Sequence, residues 1–223
     1  MIEIVAVKDK RDSILGNVHL IHNTAKLNSI AKKYNYAIEK YCLPSSEQYF
    51  CFRHDDLTFN TPKDVIIYKL DKLFEDGKVG VAGLIGTYIL EQSCVWWIPN
   101  RPLNTAGKIT QCFPDGKSTV MADWPGTHVG LASVDGCCLF ISRKLLESGV
   151  RFDESLSDYH FYDADICCQA LSNRYEVATV DIEAIHKSVG KAVNEIEQYR
   201  KVFFDKWTKK IDNWPISRYT KFK

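Results

Sequence analysis

The sequence lacks any apolar run approaching the roughly 20 residues needed to span a bilayer. Its start, MIEIVAVKDKRDS, has no basic leader, long apolar core or small-residue cleavage site, so no secretory signal is expected. It also lacks net charge. The 29 Lys and Arg against 28 Asp and Glu leave +1, so no global field draws nucleic acid or anionic lipid, and such a partner needs a local patch. There is no CxxC, which removes zinc ribbons and thioredoxin-like sites, and no internal repeat or low-complexity segment. What is present is 223 residues, 45% hydrophobic and 26% charged, enough for one large folded domain. The expectation is a single domain over 1–223, cytoplasmic, with peripheral membrane contact left open. The eight cysteines, at 42, 51, 94, 112, 137, 138, 167 and 168, sit in apolar runs and read as small buried hydrophobes in a reducing compartment.

Strands are expected at 2–7, 17–23, 47–54, 78–86, 133–142 and 175–186, each an apolar run bounded by turn residues. Apolar residues at 27, 30, 31, 34, 38 and 41 have helical spacing. The clearest helix follows NTPKD, with Thr61 as N-cap, Pro62 as first helical residue and Gly77 as stop. Residues 87–130, rich in Pro, Gly, Asn and Trp, show no clear period and read as functional or lid-like. RKLLES, ended by Gly149, is a short helix, and a closing helix carries Ile196, Tyr199, Val202, Phe203 and Trp207 on one face. The early β-α alternation implies an α/β fold with a mostly parallel sheet, whose ligands bind at the carboxyl ends of the strands.

One buried strand, EQYFCFRH, ends abruptly on His54-Asp55-Asp56. Two adjacent carboxylates repel unless water, a proton or a cation absorbs the charge, and a hard divalent ion bridging to phosphate suits them; a solvated turn is the bland alternative. A second acidic group, FDESLSDYHFYDAD, places Asp153, Glu154 and Asp158 before Asp163 and Asp165 at a helix start. Capping explains acids there, but not the aromatic run Tyr159-His160-Phe161-Tyr162 beside them, which can raise a carboxyl pKa or hold a sugar face. His186 closes a strand, and gains interest only as a partner to these clusters.

Taken in order, SIAKKYNYAIEKY, YFCFRHDDLTF, GKVGVAG and SVDGCCLFISRKLLESGVRFDESLSDYHFYDADICC through IHKSVGK resemble the family 2-type glycosyltransferases of GT-A fold, over roughly residues 25–190. Within them the chain most resembles the subgroup with an HxD-type motif and an FHFYDxD segment. That resemblance implies a GT-A, Rossmann-like mixed sheet with helices on both faces. It assigns 1–86 to nucleotide-sugar binding, 87–190 to the acceptor and catalytic half, and 191–223 to a closing helix and tail. It implies a nucleoside-diphosphate sugar donor, uridine-linked in similar proteins, and Mn²⁺ or Mg²⁺. Asp56 matches the final metal-binding acid, His54 stands where the first acid is usual, and His186 matches a histidine near metal and diphosphate. Asp55, Val5, Ala6 and Asn35 are implied as donor contacts, with Asp135 and Gly136 lining the donor sugar. Asp163 matches the catalytic base of inverting members. The usual uracil-contacting acid is missing, and His22 and Asn23 stand in its region.

The tail, KVFFDKWTKKIDNWPISRYTKFK (201–223), interleaves basic and aromatic residues. It can lie on an anionic membrane bearing a lipid-linked acceptor, track a nucleic acid, or simply dock as a helix. A glycan, a lipid-linked glycan or a hydroxylated nucleic-acid base are accordingly the acceptors to weigh, beside a non-catalytic sugar-nucleotide-binding module.

Overall fold

The computed structural model describes residues 1–7, 18–95, 104–156, 160–187 and 196–223. A larger sheet contains β1 (Ile2–Ala6), β2 (Val18–Ile21), β3 (Tyr49–His54), β5 (Val79–Gly83), β9 (His128–Val129), β11 (Cys138–Ser142) and β12 (Glu176–Thr179). A smaller sheet contains β4 (Leu57–Phe59), β6 (Ile85–Thr87), β7 (Thr105–Cys112), β8 (Ser118–Trp124), β10 (Ser133–Val134) and β13 (Ala184–His186). The helices are α1 (Ile30–Ala37), which runs on into a π-helical turn at Ile38–Cys42, α2 (Lys63–Phe74), α3 (Arg143–Glu147), α4 (Tyr162–Ser172) and α5 (Ile196–Thr208). Among the described residues no helix is long and apolar enough to cross a membrane.

The larger sheet is ordered β2-β1-β3-β11-β5-β12-β9 and is mixed, as a Rossmann-like GT-A sheet should be. It is less parallel than expected. β11 runs antiparallel to both β3 and β5, and β9 runs antiparallel to β12. Two reversals through β11 restore the direction, so β1, β3, β5 and β12 run the same way. Ala6, His54, Gly83 and Thr179 therefore finish on one edge, where an α/β sheet offers its crevice.

Alternation along the central strands feeds two cores, one on each face. Phe50 and Phe52 join Ile4, Tyr34, Leu139 and Ile141 under α1 and α3, whereas Cys51, Cys138 and Phe140 face Leu70 of α2 and Phe203 and Trp207 of α5. Helix α4 belongs to both, giving Ile166 and Cys167 to the first and Ala164 and Cys168 to the second. Full burial of each large side chain contributes about 1.5–3 kcal/mol before entropy is counted. All eight thiols are free and seven are buried, as expected. Even Cys51 and Cys138, at 4.0 Å between sulfurs, are far from bonding distance. Burial pushes the Cys42, Cys94 and Cys167 thiols up to about 12, so they are inert.

Several expected boundaries are corrected. The runs 78–86, 133–142 and 175–186 are not single strands; each splits between the two sheets, as β5 and β6, β10 and β11, and β12 and β13. Glycine marks one crossing, because a Cβ on Gly86 would stand 2.3 Å from the Ser133 carbonyl oxygen of the adjacent strand. Residues 105–124 are more regular than expected: β7 and β8 form an antiparallel hairpin, closed where the Phe113 amide donates to the Lys117 carbonyl at 2.9 Å. Pro62, not Thr61, precedes the first residue of α2; the Thr61 hydroxyl is taken by the Glu183 amide at 2.8 Å, so it fastens β13 rather than caps the helix.

Candidate active site and metal centre

Strands from both sheets bring the candidate ligands together. β3 ends on His54, the Asp55-Asp56 turn leads into β4, and β13 pairs antiparallel with β4 so that His186 lies opposite Leu57. β13 also runs beside β7, which sets Gln111 opposite His186. One donor atom each from His54, Asp56 and His186 lies within 4.8 Å of the others. Asp56 Oδ1 is 3.2 Å from His186 Nε2 and 4.0 Å from His54 Nδ1. Asp56 Oδ1 and His186 Nε2 are buried, and for all their closeness they are not aligned for a hydrogen bond.

The outer contacts of the two imidazoles decide where their protons sit. The Tyr162 hydroxyl donates to the Gly136 carbonyl at 2.8 Å, so its oxygen accepts from His54 Nε2 at 2.7 Å. The His54 proton is on Nε2 and the lone pair on Nδ1, the nitrogen nearer Asp56. His186 Nδ1 is 3.0 Å from Gln111 Oε1, whose own amide nitrogen donates to the Cys112 carbonyl. Nδ1 of His186 is thus the donor and Nε2 carries the lone pair. Two imidazole lone pairs and a carboxylate oxygen converge with no proton assigned among them. Burial and the neighbouring His186 hold His54 below the usual imidazole range, keeping it neutral. Burial opposes charge on Asp56 and His186 as well, but each outweighs it for the other: Asp56 is held low and His186 is drawn up. A proton competes with a cation at this point.

The second part of the site is the turn between β10 and β11. Asp135 Oδ1 accepts the Cys137 amide at 2.8 Å, and the Cys137 carbonyl accepts the His54 amide at 3.0 Å, which ties the turn to β3. A Cβ on Gly136 would stand 2.2 Å from the Tyr162 hydroxyl, so no larger residue fits without displacing it. Asp163, one residue past Tyr162, accepts the Gly136 amide through Oδ2 at 2.9 Å and the Ala164 amide through Oδ1 at 2.8 Å. It is half-buried. Burial, reinforced by the Asp135 carboxylate, pushes its carboxyl up to about 7 despite those two amides. A carboxylate poised near neutrality, with lone pairs to spare, is suited to taking a proton.

Asp165, expected beside Asp163, lies elsewhere. Two residues along a helix turn a side chain by about 200°, so the pair diverges. Asp165 is 0% exposed and holds α5, accepting from Trp207 Nε1 at 2.8 Å and Gln169 Nε2 at 2.7 Å and pairing with Lys206 at 2.7 Å. Lys206 also meets Asp153 at 2.6 Å. Two of the four aromatic residues, Phe161 and Tyr162, are core rather than a sugar-facing wall: Phe161 stacks on Phe203 at 5.5 Å, and Tyr162 packs among Tyr34 and Phe152. Phe161 has φ +66°, a left-handed backbone that a bulky side chain rarely adopts, directly before the helix that carries Asp163. Asp158 and Tyr159 lie outside the described residues, as do 188–190 after His186.

Of the remaining expected contacts, Ala6 pairs with His54 across β1 and β3, so the end of β1 flanks the site, whereas the Val5 side chain is buried in the core. Asp55 sits in the turn beside His54 and adds its charge there, but it is not one of the three convergent ligands. Asn35 is engaged at both ends of its amide by the Phe152 backbone, and also donates to Glu154, so it braces α1. His22, just past β2, has a buried Nδ1 with no hydrogen-bond partner among the described residues. Tyr162 and Gln111, which set the two tautomers, were not among the expected site residues; nothing in their local spacing distinguishes them from core. A cavity of about 270 Å³ lined by Asn60, Lys108, Asp181 and Glu183 shares no residue with the site. In the tail, Phe203, Trp207, Ile211 and Ile216 are buried and Phe204 stacks on Trp214 at 5.1 Å, leaving Tyr219 exposed.

A family model described as a glycosyltransferase-like family matches residues 16–207. No curated protein matches the chain in sequence. Among solved structures, the crystal structure of A197 from STIV resembles it with a TM-score of 0.50 and 12% identity, over 84% of this chain and 86% of that one. At that identity the likeness concerns fold alone.

Proposed function

Because the chain belongs to the glycosyltransferase-like family, we propose that it is a metal-dependent, inverting transferase, moving a sugar from a uridine-diphosphate donor to a hydroxyl of a glycan or lipid-linked glycan. The observation that carries this reading is the convergence of His54 Nδ1, Asp56 Oδ1 and His186 Nε2, three lone pairs within 4.8 Å. Two imidazoles beside one carboxylate favour Mn²⁺ over Mg²⁺, which prefers an all-oxygen shell. When bound, the ion supplies positive charge to stabilise the diphosphate leaving group.

The rest of the reaction falls to the chain's own groups. Asp135 and Gly136 line the donor sugar, the end of β1 lies alongside, and His22 Nδ1, without a hydrogen-bond partner among the described residues, is available to the base. Asp163 accepts the proton of the acceptor hydroxyl while that oxygen bonds to the anomeric carbon and the bond from that carbon to the diphosphate oxygen breaks. The Gly136 and Ala164 amides keep the carboxylate in place during transfer. Apart from exposed Tyr219 the tail aromatics are engaged internally, which supports neither a membrane face nor a nucleic-acid groove at 201–223.

The test is paired. Asp56→Ala is expected to abolish Mn²⁺ binding and the thermal stabilisation that Mn²⁺ with a uridine-diphosphate sugar confers. Asp163→Asn is expected to keep both and lose turnover by about 10²- to 10⁴-fold in a nucleotide-release assay. Unchanged turnover in Asp163→Asn removes it as base; unchanged Mn²⁺ affinity in Asp56→Ala removes the metal centre.

A further inference from the structure

Three rings at the far end of the crevice edge have no part in this chemistry. Trp124 closes β8 and is 49% exposed, unusual for an indole in a molecule of this size. Its ring lies 4.4 Å from that of His128 and 6.0 Å from that of Tyr88. His128 Nε2 donates to the Trp124 carbonyl at 3.1 Å, so Nδ1 accepts from the Tyr88 hydroxyl at 3.2 Å. Each brace is itself held: the Tyr88 amide donates to the Asn104 carbonyl at 2.8 Å, and His128 pairs with Thr179. The indole is therefore flanked by two held rings before any ligand arrives, which lowers the entropy lost on binding.

Its position follows from register. Thr179 ends β12 on the edge where β3 ends at His54, and His128 lies opposite Thr179. In the smaller sheet Trp124 is opposite Gly107, Gly107 is opposite Ile85, and the Ile85 carbonyl accepts the Asp135 amide. Three inter-strand steps thus separate Trp124 from Asp135, about 14 Å. A short oligosaccharide covers that span and a single sugar does not. The apolar face of a pyranose carries outward C–H groups of weak positive charge, matched to the negative face of an indole. Exposed Arg218 lies against Gly130, two residues past His128, and sets a fork of donors for sugar hydroxyls at the rim.

We propose that Trp124, braced by Tyr88 and His128, is a stacking subsite for a sugar ring of the acceptor, which is accordingly an oligosaccharide chain rather than a lone sugar. That the bound chain is the acceptor rests on the transferase reading; that the platform binds sugar does not.

The experiment applies the full chain to a printed array of oligosaccharides graded in length, then titrates the retained glycans against Trp124→Ala and Trp124→Phe, with Mn²⁺ binding measured alongside. Retention of the longer glycans is expected, with about tenfold weaker binding for Trp124→Ala and near-native binding for Trp124→Phe. Mn²⁺ affinity is expected to be unchanged in both. No retained glycan, or glycan affinity indifferent to Trp124→Ala, overturns the proposal, as does free uridine or adenine nucleotide binding that Trp124→Ala abolishes. Loss of Mn²⁺ binding in the unmodified chain sinks the transferase reading instead, and leaves the glycan result to stand by itself.

Discussion

Replacing Tyr162 with Phe removes one oxygen from the centre of the site and keeps the ring that packs among Tyr34 and Phe152. That oxygen stands 2.7 Å from His54 Nε2 and 2.8 Å from the Gly136 carbonyl. Without it a buried donor and a buried acceptor are left over, at about 1–3 kcal/mol each. The donor has an escape, because the His54 proton can move to Nδ1, 4.0 Å from the Asp56 carboxylate. The move relieves the orphaned N–H but withdraws a lone pair from the metal centre. The expected result is a stability loss of about 1–3 kcal/mol, mainly from the Gly136 carbonyl. Mn²⁺ affinity is expected to fall by about 10- to 100-fold, as for other outer contacts of ligating imidazoles. Calorimetric titration with Mn²⁺ reads the second effect, and imidazole ¹⁵N shifts of the metal-free protein read the tautomer directly. A Phe variant that keeps its proton on Nε2 and its native Mn²⁺ affinity refutes the reasoning, whatever happens to activity.

Two further predictions concern charge. Asp163, raised to about 7, gains its basic form as pH rises through that value, so turnover at saturating Mn²⁺ is expected to climb there; a rate flat down to pH values about two units lower contradicts the assignment. The same shift makes the ionised carboxylate a burden on folding that builds as pH rises from 3.8, its unfolded value, to about 7 and is constant above, so Asp163→Asn is expected to gain stability at neutral and alkaline pH and to lose that gain as pH falls toward 3.8. At subsaturating Mn²⁺ the limb moves further toward alkaline pH, because protonated His186 competes with the ion. Lys206→Met strips the counter-charge from fully buried Asp165 and is expected to cost about 3–5 kcal/mol at neutral pH by urea unfolding, with a smaller deficit in acid where Asp165 can protonate. A deficit under about 1 kcal/mol at both pH values would mean the pair does not hold α5.

The convergence of His54, Asp56 and His186 was legible because strand ends are. An aromatic run that stops on His54-Asp55-Asp56, and an aliphatic one that stops on His186, place titratable groups where a parallel ladder opens. The place of Asp163 at a helix start was legible in its motif, and its separation from Asp165 could have been read from helical periodicity alone. The hairpin of β7 and β8 carries its own signal, Pro114-Asp115-Gly116 between alternating strands. The divided strands were not legible. At the first crossing Leu84 continues the apolar run, and at the other two a lone Asp135 or the alternating Asp181 and Glu183 sit among apolar residues as they would within a single half-buried strand, so hydrophobicity does not mark where the chain changes sheets. Tyr162 and Gln111 escaped for a different reason: their importance lies in which proton they fix on a distant imidazole, and no local pattern encodes that.

The clasp of Lys206 and Trp207 on Asp165 orders events during synthesis. A nascent chain that has emerged through residue 187 already carries all three convergent ligands, yet the helix bearing Asp163 still has an uncompensated anion in its interior. Translation adds α5 only afterwards, so on the transferase reading the three ligands can gather before Asp163 is finally seated, and ion capture would precede turnover.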